Sequence, residues 1–320
     1  MTEDESRIAR WVEEVLRGSP QAISRLISLV ENRPDEAVPL LRALHPHTGR
    51  GYVVGVTGPP GTGKSTLLDA LIRDVRRQGR RVGVVAVDPT SPFSGGAILG
   101  DRIRMQDHST DPGVFLRSMA TRGHLGGLAP AAAGAVQVLD ASGCDLIFVE
   151  TVGTGQAEVD VVGAADTVIV VTVPSLGDSI QTLKAGVMEI GDIFVVNKAD
   201  RGDADRTAQD IRAMLALAGA RDGWDPPVLL AVATAGIGVR EILKATEDHQ
   251  TYQRSRGILA ARRQLRRRRE ILRIMEDRLR ALVLDSVGPD RLDDLAARVA
   301  SGEMDPYTAA SLLLEDLGLG

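Results

Sequence analysis

Residues 55–71 read GVTGPPGTGKSTLLDAL, and the order of residue types in them decides the fold. Gly58-Pro-Pro-Gly-Thr-Gly-Lys64-Ser65 satisfies the phosphate-loop pattern of two glycines, a lysine and a hydroxyl residue at fixed spacing. The run YVVGV ahead of it reads as a buried strand, and TLLDALIRDV behind it as an amphipathic helix. Glycines in such a loop let the N–H groups from Gly61 through Ser65 curl around phosphates at the positive end of the helix. Gly61, Thr62, Gly63, Lys64, Ser65 and Thr66 are therefore the expected phosphate-binding residues. Lys64 reaches the β- and γ-phosphates, and Ser65 holds Mg²⁺. A plain Gly-rich turn is the bland alternative, and pattern and context together point instead to a nucleoside triphosphate.

Working outward, apolar runs alternate with helical or loop stretches from Tyr52 to about Ala245: YVVGV, RVGVVAV, GVFLR, DLIFVE, TVIVVTV, DIFVVN and PVLLAV. They predict an α/β P-loop fold with a mostly parallel seven-strand sheet and helices on both faces. Ahead of it, Glu5 to Leu44 has helical spacing, with Gly18 able to end one helix and Ser19-Pro20 to start the next. Behind it, Arg254 to Arg280 reads as one long helix in which Ile258, Leu265, Leu272 and Leu279 recur every seven residues. That stretch holds eleven arginines against three acids. Two readings fit: a solvated face, or a docking surface for an acidic partner or nucleic acid. A last helical pair spans Asp290 to Ala300 and Asp305 to Leu317. The expected organisation is an N-terminal helical segment 1–50, a P-loop domain 51–250 and a C-terminal helical extension 251–320.

Composition excludes less. Aromatics are 3% of the 320 residues, so the core is mainly Val, Leu, Ile and Ala. A net charge of −5 gives no general attraction for nucleic acid or an anionic membrane, and the Arg-rich helix lacks interleaved aromatics. Neither is an expected partner. Cys144 is the only cysteine, which rules out an intrachain disulfide or a multi-cysteine metal site; its place in CDLIFVE predicts a buried, inert thiol. The acidic start MTEDESRIARWVEEVL has no apolar core of the signal-peptide kind. The expected location is cytoplasmic.

The loop alone does not name the base. Asn197-Lys198-Ala199-Asp200 follows the strand DIFVV, about 130 residues beyond the phosphate loop, where a guanine-reading Asn-Lys-x-Asp motif belongs on this fold. A carboxylate there accepts from the guanine N1–H and exocyclic amine, whereas adenine would leave a buried Asp200 unpaired at a cost of roughly 1–3 kcal/mol. Val232-Ala233-Thr234, after PVLLA, is expected to add a backbone contact to the guanine carbonyl. For Mg²⁺, Glu150 ends DLIFVE, Asp88 ends VGVVAVD, and Asp101 follows a glycine-rich stretch. The two aspartates also suit a turn or a helix cap.

GPPGTGKST, VDPTSPFSGGAILGDRIRM, FLRSMATRGHLGGLA, FVETVGTGQAEVDV, PSLGDSIQTLKAG and VVNKAD together resemble the MeaB/MMAA-type G-protein chaperones of adenosylcobalamin-dependent acyl-CoA mutases, also known as ArgK-type transport kinases. The resemblance runs from the N-terminal helices through the nucleotide domain, and FLRSMATRGHLGGLA and ETVGTGQ are its specific parts. It implies a homodimeric GTPase that gates adenosylcobalamin loading and guards a mutase of the methylmalonyl-CoA type, meeting cobalamin only through that partner. It implies Asp88, Asp101 and Glu150 around Mg²⁺, with GTP and GDP as ligands. It also implies a loop, Pro174 to Gly186, that signals to the mutase through Asp178 and Lys184; Ser175 and Ser179 depart from its pattern. Val232 stands where the family has Ser. Gln156 lies six residues past Glu150, and both water positioning and a switch role fit it.

The proposed chemistry is in-line attack of water on the γ-phosphate, with Lys64, Mg²⁺ and the loop amides stabilising charge. An unassisted rate can be on the order of 10⁻⁴ per second, which suits a timing switch. Two rival functions share the fold. A metal-delivery GTPase of the urease or hydrogenase accessory type needs His- or Cys-rich ligands, and only His45-Pro-His47 offers a close pair. An ATP-dependent transport-associated kinase is disfavoured by Asn197 to Asp200.

Overall fold

The computed structural model describes residues 3–88, 108, 110–120, 130–151, 165–174, 187–219 and 222–316. The chain forms two compact units, Met1–Ala260 and Ala261–Gly320. In the first, the seven apolar runs are the seven strands: β1 (Tyr52–Thr57), β2 (Val82–Asp88), β3 (Val114–Ala120), β4 (Leu146–Thr151), β5 (Thr167–Thr172), β6 (Ile193–Asn197) and β7 (Val228–Ala231). Their order across the sheet is β3-β2-β4-β1-β5-β6-β7. Every pairing is parallel, so the strand C-termini share one edge, called here the upper edge.

Continuous apolar runs suit strands covered on both faces. β1, β4, β5 and β6 are buried along their whole length. Val53, Val85, Ile147 and Val149 face one cluster with α2 (Pro20–Asn32), α5 (Pro130–Ala141) and α7 (Ala204–Ala218). Val54, Val84, Phe148 and Ile169 face the other, with α4 (Lys64–Arg77) and α8 (Val239–Ser255). A four-residue helix, α6 (Val187–Ile190), precedes β6.

The N-terminal segment is three helices, α1 (Glu3–Leu16), α2 and α3 (Pro34–Leu44). Gly18 takes a left-handed φ of 77°, and Ser19 caps α2 by accepting from the Ala22 amide, with Pro20 in the first turn. Val15, Leu26, Ile27 and Leu44 are fully buried in the cluster shared with α5. His45-Pro-His47 forms an exposed 3-10 turn at the end of α3.

Strand entry at the lower edge uses a repeated device. Asp145, Asp166 and Asp192 stand one residue ahead of β4, β5 and β6. Each carboxylate accepts an amide from the neighbouring strand or its lead-in: Arg81 at 2.7 Å, Val53 at 3.0 Å and Val168 at 2.9 Å.

The long arginine-rich helix differs from the expectation of Arg254 to Arg280. α8 ends at Ser255, Gly257 adopts φ 71°, and a new helix, α9, runs Ile258–Val287. Glycine tolerates the left-handed conformation that closes a helix, and ALVLDSV after Arg280 carries α9 on to Gly288. Most of α9, with α10 (Pro289–Ala300) and α11 (Pro306–Asp316), makes up the second unit. The seven-residue stripe is not buried: Leu265, Leu272 and Leu279 are 46%, 42% and 48% exposed. Asp305 caps α11, accepting from the Tyr307 and Thr308 amides. No described helix is long and apolar enough to cross a membrane.

Candidate nucleotide site

The phosphate loop leaves β1 at the upper edge and enters α4. Its glycines are required by space as well as by angle. Gly58, at φ 138°, would place a Cβ 2.0 Å from the Val171 carbonyl oxygen, and Gly63, at φ 86°, 2.6 Å from the Asn197 amide nitrogen. Any side chain would push the loop off β5 or off β6. Thr62 Oγ1 donates to the Pro59 carbonyl at 2.9 Å. Lys64 Nζ donates to the carbonyls of Gly58 at 2.7 Å and Pro59 at 3.1 Å, so its ammonium is held over the loop. Gly63, the residue ahead of α4, brings no side chain to cap the first amides of the helix. That leaves the helix start suited to an anion. Thr66 follows in the first turn, half-buried.

Ser65 Oγ donates to Glu150 Oε1 at 2.8 Å, and the two residues are 7% and 3% exposed. Paired oxygens of a hydroxyl and a carboxylate are the hard donors that Mg²⁺ takes, so this pair fits the metal expected of it. Asp88 ends β2, with its side chain outside the described residues. Asp101, Gln156, Asp178 and Lys184 also lie outside them. Among the described residues no group of three or more His, Cys, Asp or Glu clusters as a metal site.

The base-reading motif begins where β6 ends, two strands from β1. Asn197 is 2% exposed. Its Nδ2 donates to the Thr62 carbonyl at 2.9 Å, and its Oδ1 accepts from the Ala233 amide at 3.1 Å. Lys198, at a left-handed φ of 58°, sends Nζ to the Gly61 carbonyl at 2.7 Å. The motif is thus bolted to the phosphate loop twice, a function that four letters of sequence do not disclose. The signal was nonetheless there: an amide side chain with one donor end and one acceptor end suits a junction of two loops.

One expectation needs correction. Asp200 is exposed in the chain by itself, since no described residue covers the tip of the turn; the burial argument applies once a base lies against it. In the chain by itself the Ala233 N–H donates to Asn197 Oδ1. Thr234, exposed and next along the 3-10 turn Ala233–Ala235, carries the next amide of that turn. Val232 is half-buried and pairs with Ile237, which closes the turn.

Cys144 is buried just ahead of β4, and burial raises its thiol above the ordinary range, as expected of an inert position.

An edge built this way can grip a chain of phosphates at one strand and meet a base two strands away, which is the work of the P-loop GTPases. The chain belongs to one family of them: the family described as Methylmalonyl Co-A mutase-associated GTPase MeaB matches residues 23–287. A Pyrococcus abyssi protein named as a GTPase is 51% identical over 313 residues, covering 97% of both chains. The GTPase ArgK of Escherichia coli is 36% identical over 270 residues, 82% of this chain and 81% of its own. Among solved structures, one described as an LAO/AO transport system kinase superposes with a TM-score of 0.76 at 26% identity, covering 99% of each chain. The chain is a GTPase.

Proposed function

We propose that GTP binds along the upper edge, with its phosphates on Gly61 to Thr66 and its guanine against Asn197, Lys198, Asp200 and the turn Val232 to Thr234. The observation that carries this reading is the double contact of Asn197 with Thr62 and Ala233. It fixes the distance between phosphate loop and base turn before any ligand arrives, which is preorganisation for one nucleotide length. Lys64 moves from the loop carbonyls to the β- and γ-phosphates and steadies charge on the transferring group. Ser65 and Glu150 hold Mg²⁺, joined by Asp88 and Asp101; when bound, Mg²⁺ neutralises phosphate oxygens.

The nucleotide state is reported to an adenosylcobalamin-dependent acyl-CoA mutase, where GTP hydrolysis gates cofactor loading. Asp178 and Lys184 carry the signal, and Gln156 acts beside the γ-phosphate. The family's description as mutase-associated supports the partner. A homodimer closes the open Leu265, Leu272 and Leu279 stripe, with 251–320 as the dimerisation extension. The transport-kinase reading takes its support from the name of one structural relative, and the Asn-Lys-x-Asp turn favours guanine over adenine.

GTP turnover measured with and without a purified methylmalonyl-CoA-type mutase checks the partner. We expect co-elution of the two proteins and a rate raised about tenfold or more, as ordering of GTPase loops by a partner produces. A mutase that neither co-elutes nor changes the rate rules the partnership out.

A further inference from the structure

Where the phosphate loop leaves β1, the seam between β1 and β4 is bridged on both faces of the sheet. The β1–β4 register ends with Val56 opposite Glu150. Past that pair the two strands keep only their other neighbours: Thr57 stands opposite Val170 of β5, and Thr151 opposite Val87 of β2. Successive side chains of a strand point to opposite faces, so Glu150 lies on the side of α4 and Thr151 on the other. On the α4 side the seam is crossed by Ser65 and Glu150 at 2.8 Å. On the opposite side Thr151 Oγ1 donates to Thr57 Oγ1 at 3.2 Å, and the two residues are 1% and 0% exposed.

Packing alone does not call for either hydroxyl. The same face of these strands carries Val53, Ile147, Val149 and Val170, and valine has the shape of threonine without the oxygen. A buried hydroxyl costs stability unless it is bonded, so two of them meeting across one seam mark a connection and not a filler. Thr57 is the residue ahead of Gly58, and Thr151 the residue after Glu150. Once Ser65 and Glu150 turn their oxygens to Mg²⁺, their direct bond no longer closes the α4 side. Among the described residues, the threonine pair is then the side-chain bridge that remains.

We infer that Thr57 and Thr151 are positioning residues for Ser65 and Glu150: their hydroxyl bond holds β4 to β1 and so sets the separation of Glu150 from Ser65 when both face Mg²⁺. This rests on the reading of the upper edge as a GTP site with Ser65 and Glu150 on the metal. The threonines take no part in ligating it; they act through the strand ends that carry the ligands. Groups that orient a metal's ligands tune the affinity for the metal, and the phosphate and base contacts of the nucleotide stand apart from them.

The test uses the full chain in Thr57→Val, Thr151→Val and Thr151→Ser variants and in the double Val variant. GTP hydrolysis is followed as Mg²⁺ is titrated, the affinity for a non-hydrolysable GTP analogue is measured with Mg²⁺ and in EDTA, and thermal midpoints are recorded. Both single Val variants are expected to need about tenfold more Mg²⁺ for half-maximal turnover, and to lose the same factor from the gain in analogue affinity that Mg²⁺ confers. Affinity in EDTA should stay within about twofold of the wild type. The double variant should be no worse than either single one, because the same bond is removed each time. Thr151→Ser, which keeps a hydroxyl, should recover most of the Mg²⁺ response. Lowered thermal midpoints with an unchanged Mg²⁺ response would make the pair merely structural and overturn the inference. It is overturned equally if affinity in EDTA falls as far as affinity with Mg²⁺, if the effects of the two Val variants add, or if Thr151→Ser is no better than Thr151→Val. If the wild-type chain binds no analogue, or binds it without regard to Mg²⁺, the reading of the site fails and this inference with it. Mg²⁺-dependent binding shared equally by the wild type and the Val variants fails this inference alone.

Discussion

The two edges of the sheet both bury polar groups, and they use them in opposite ways. At the lower edge the buried aspartates and their neighbours bond within the protein itself. Asp166 and Asp192 accept strand amides. Thr167 Oγ1 lies 2.6 Å from the Tyr52 hydroxyl and 2.8 Å from His249 Nδ1. Gln253 Nε2 donates to the Asp166 carbonyl at 2.9 Å and lies 3.1 Å from His249 Nε2. Trp224 Nε1 donates to the Asp192 carbonyl at 2.8 Å. At the upper edge Lys64, Ser65 and Glu150 are buried beside the glycine- and proline-turned phosphate loop, where Lys64 donates to the Gly58 and Pro59 carbonyls and Ser65 to Glu150. Burial alone does not mark a functional residue; what separates the edges is whether the partners are strand backbone or a loop.

That contrast is broken most sharply by Lys64→Ala. Loss of one charge-stabilising donor is worth about 10²–10³ in rate, about 3–4 kcal/mol, so GTP turnover should collapse while the thermal midpoint scarcely moves. Asp192→Ala is the mirror experiment. It strands the buried Val168 amide and should cost about 2–3 kcal/mol of stability, read as a lowered unfolding midpoint, with the ratio of GTP to ATP affinity unchanged. A loss of base selectivity in Asp192→Ala would erase the distinction between the edges. Asp200→Asn sharpens it at the base: an amide cannot accept both guanine donors, so GTP affinity should fall by about 1–3 kcal/mol, without loss of stability because the residue is exposed in the free chain.

The smallest effect comes from the Arg76–Asp111 clasp. Because Arg76 holds the Asp111 carboxyl below its ordinary value, the pair stabilises the fold above the unfolded carboxylate range. That contribution is lost as pH falls through the lower, folded value. At 22% and 29% side-chain exposure, screening limits it to under about 1 kcal/mol. Denaturant unfolding of the wild type and Asp111→Asn should differ near neutrality and converge at pH below about 4. A difference that persists in acid would mean that the contact acts through shape and not charge.

Most of the fold was legible because a parallel sheet covered on both faces writes itself as unbroken apolar runs, and Gly58, Gly63 and Lys64 stand at the only spacing a phosphate loop allows. The lower edge was not legible: Asp145, Asp166 and Asp192 look like ordinary loop residues until the neighbouring strand is known, since their partners lie 64, 113 and 24 residues away. Gly257 was passed over inside a stretch of good helix formers, so one helix was read where two meet. The stripe of Leu265, Leu272 and Leu279 was read as apolar, and it is exposed in the single chain, because periodicity marks a face and does not name what covers it. At the site, Asn197 was found by motif, but its two bonds depend on the crossing of Thr62 and Ala233, which topology alone supplies.

The central claim is that the upper edge is set for a guanine nucleotide by Asn197, Lys198 and Asp200 acting with the phosphate loop. Calorimetric titration of the nucleotide-free chain with GTP and with ATP, both with Mg²⁺, tests it directly. The account predicts GTP binding at least about 10²-fold tighter than ATP, as a site built to pair a base edge achieves, and the preference should vanish in Asp200→Asn. Equal affinity for the two nucleotides, or a preference for GTP that survives Asp200→Asn, would contradict it.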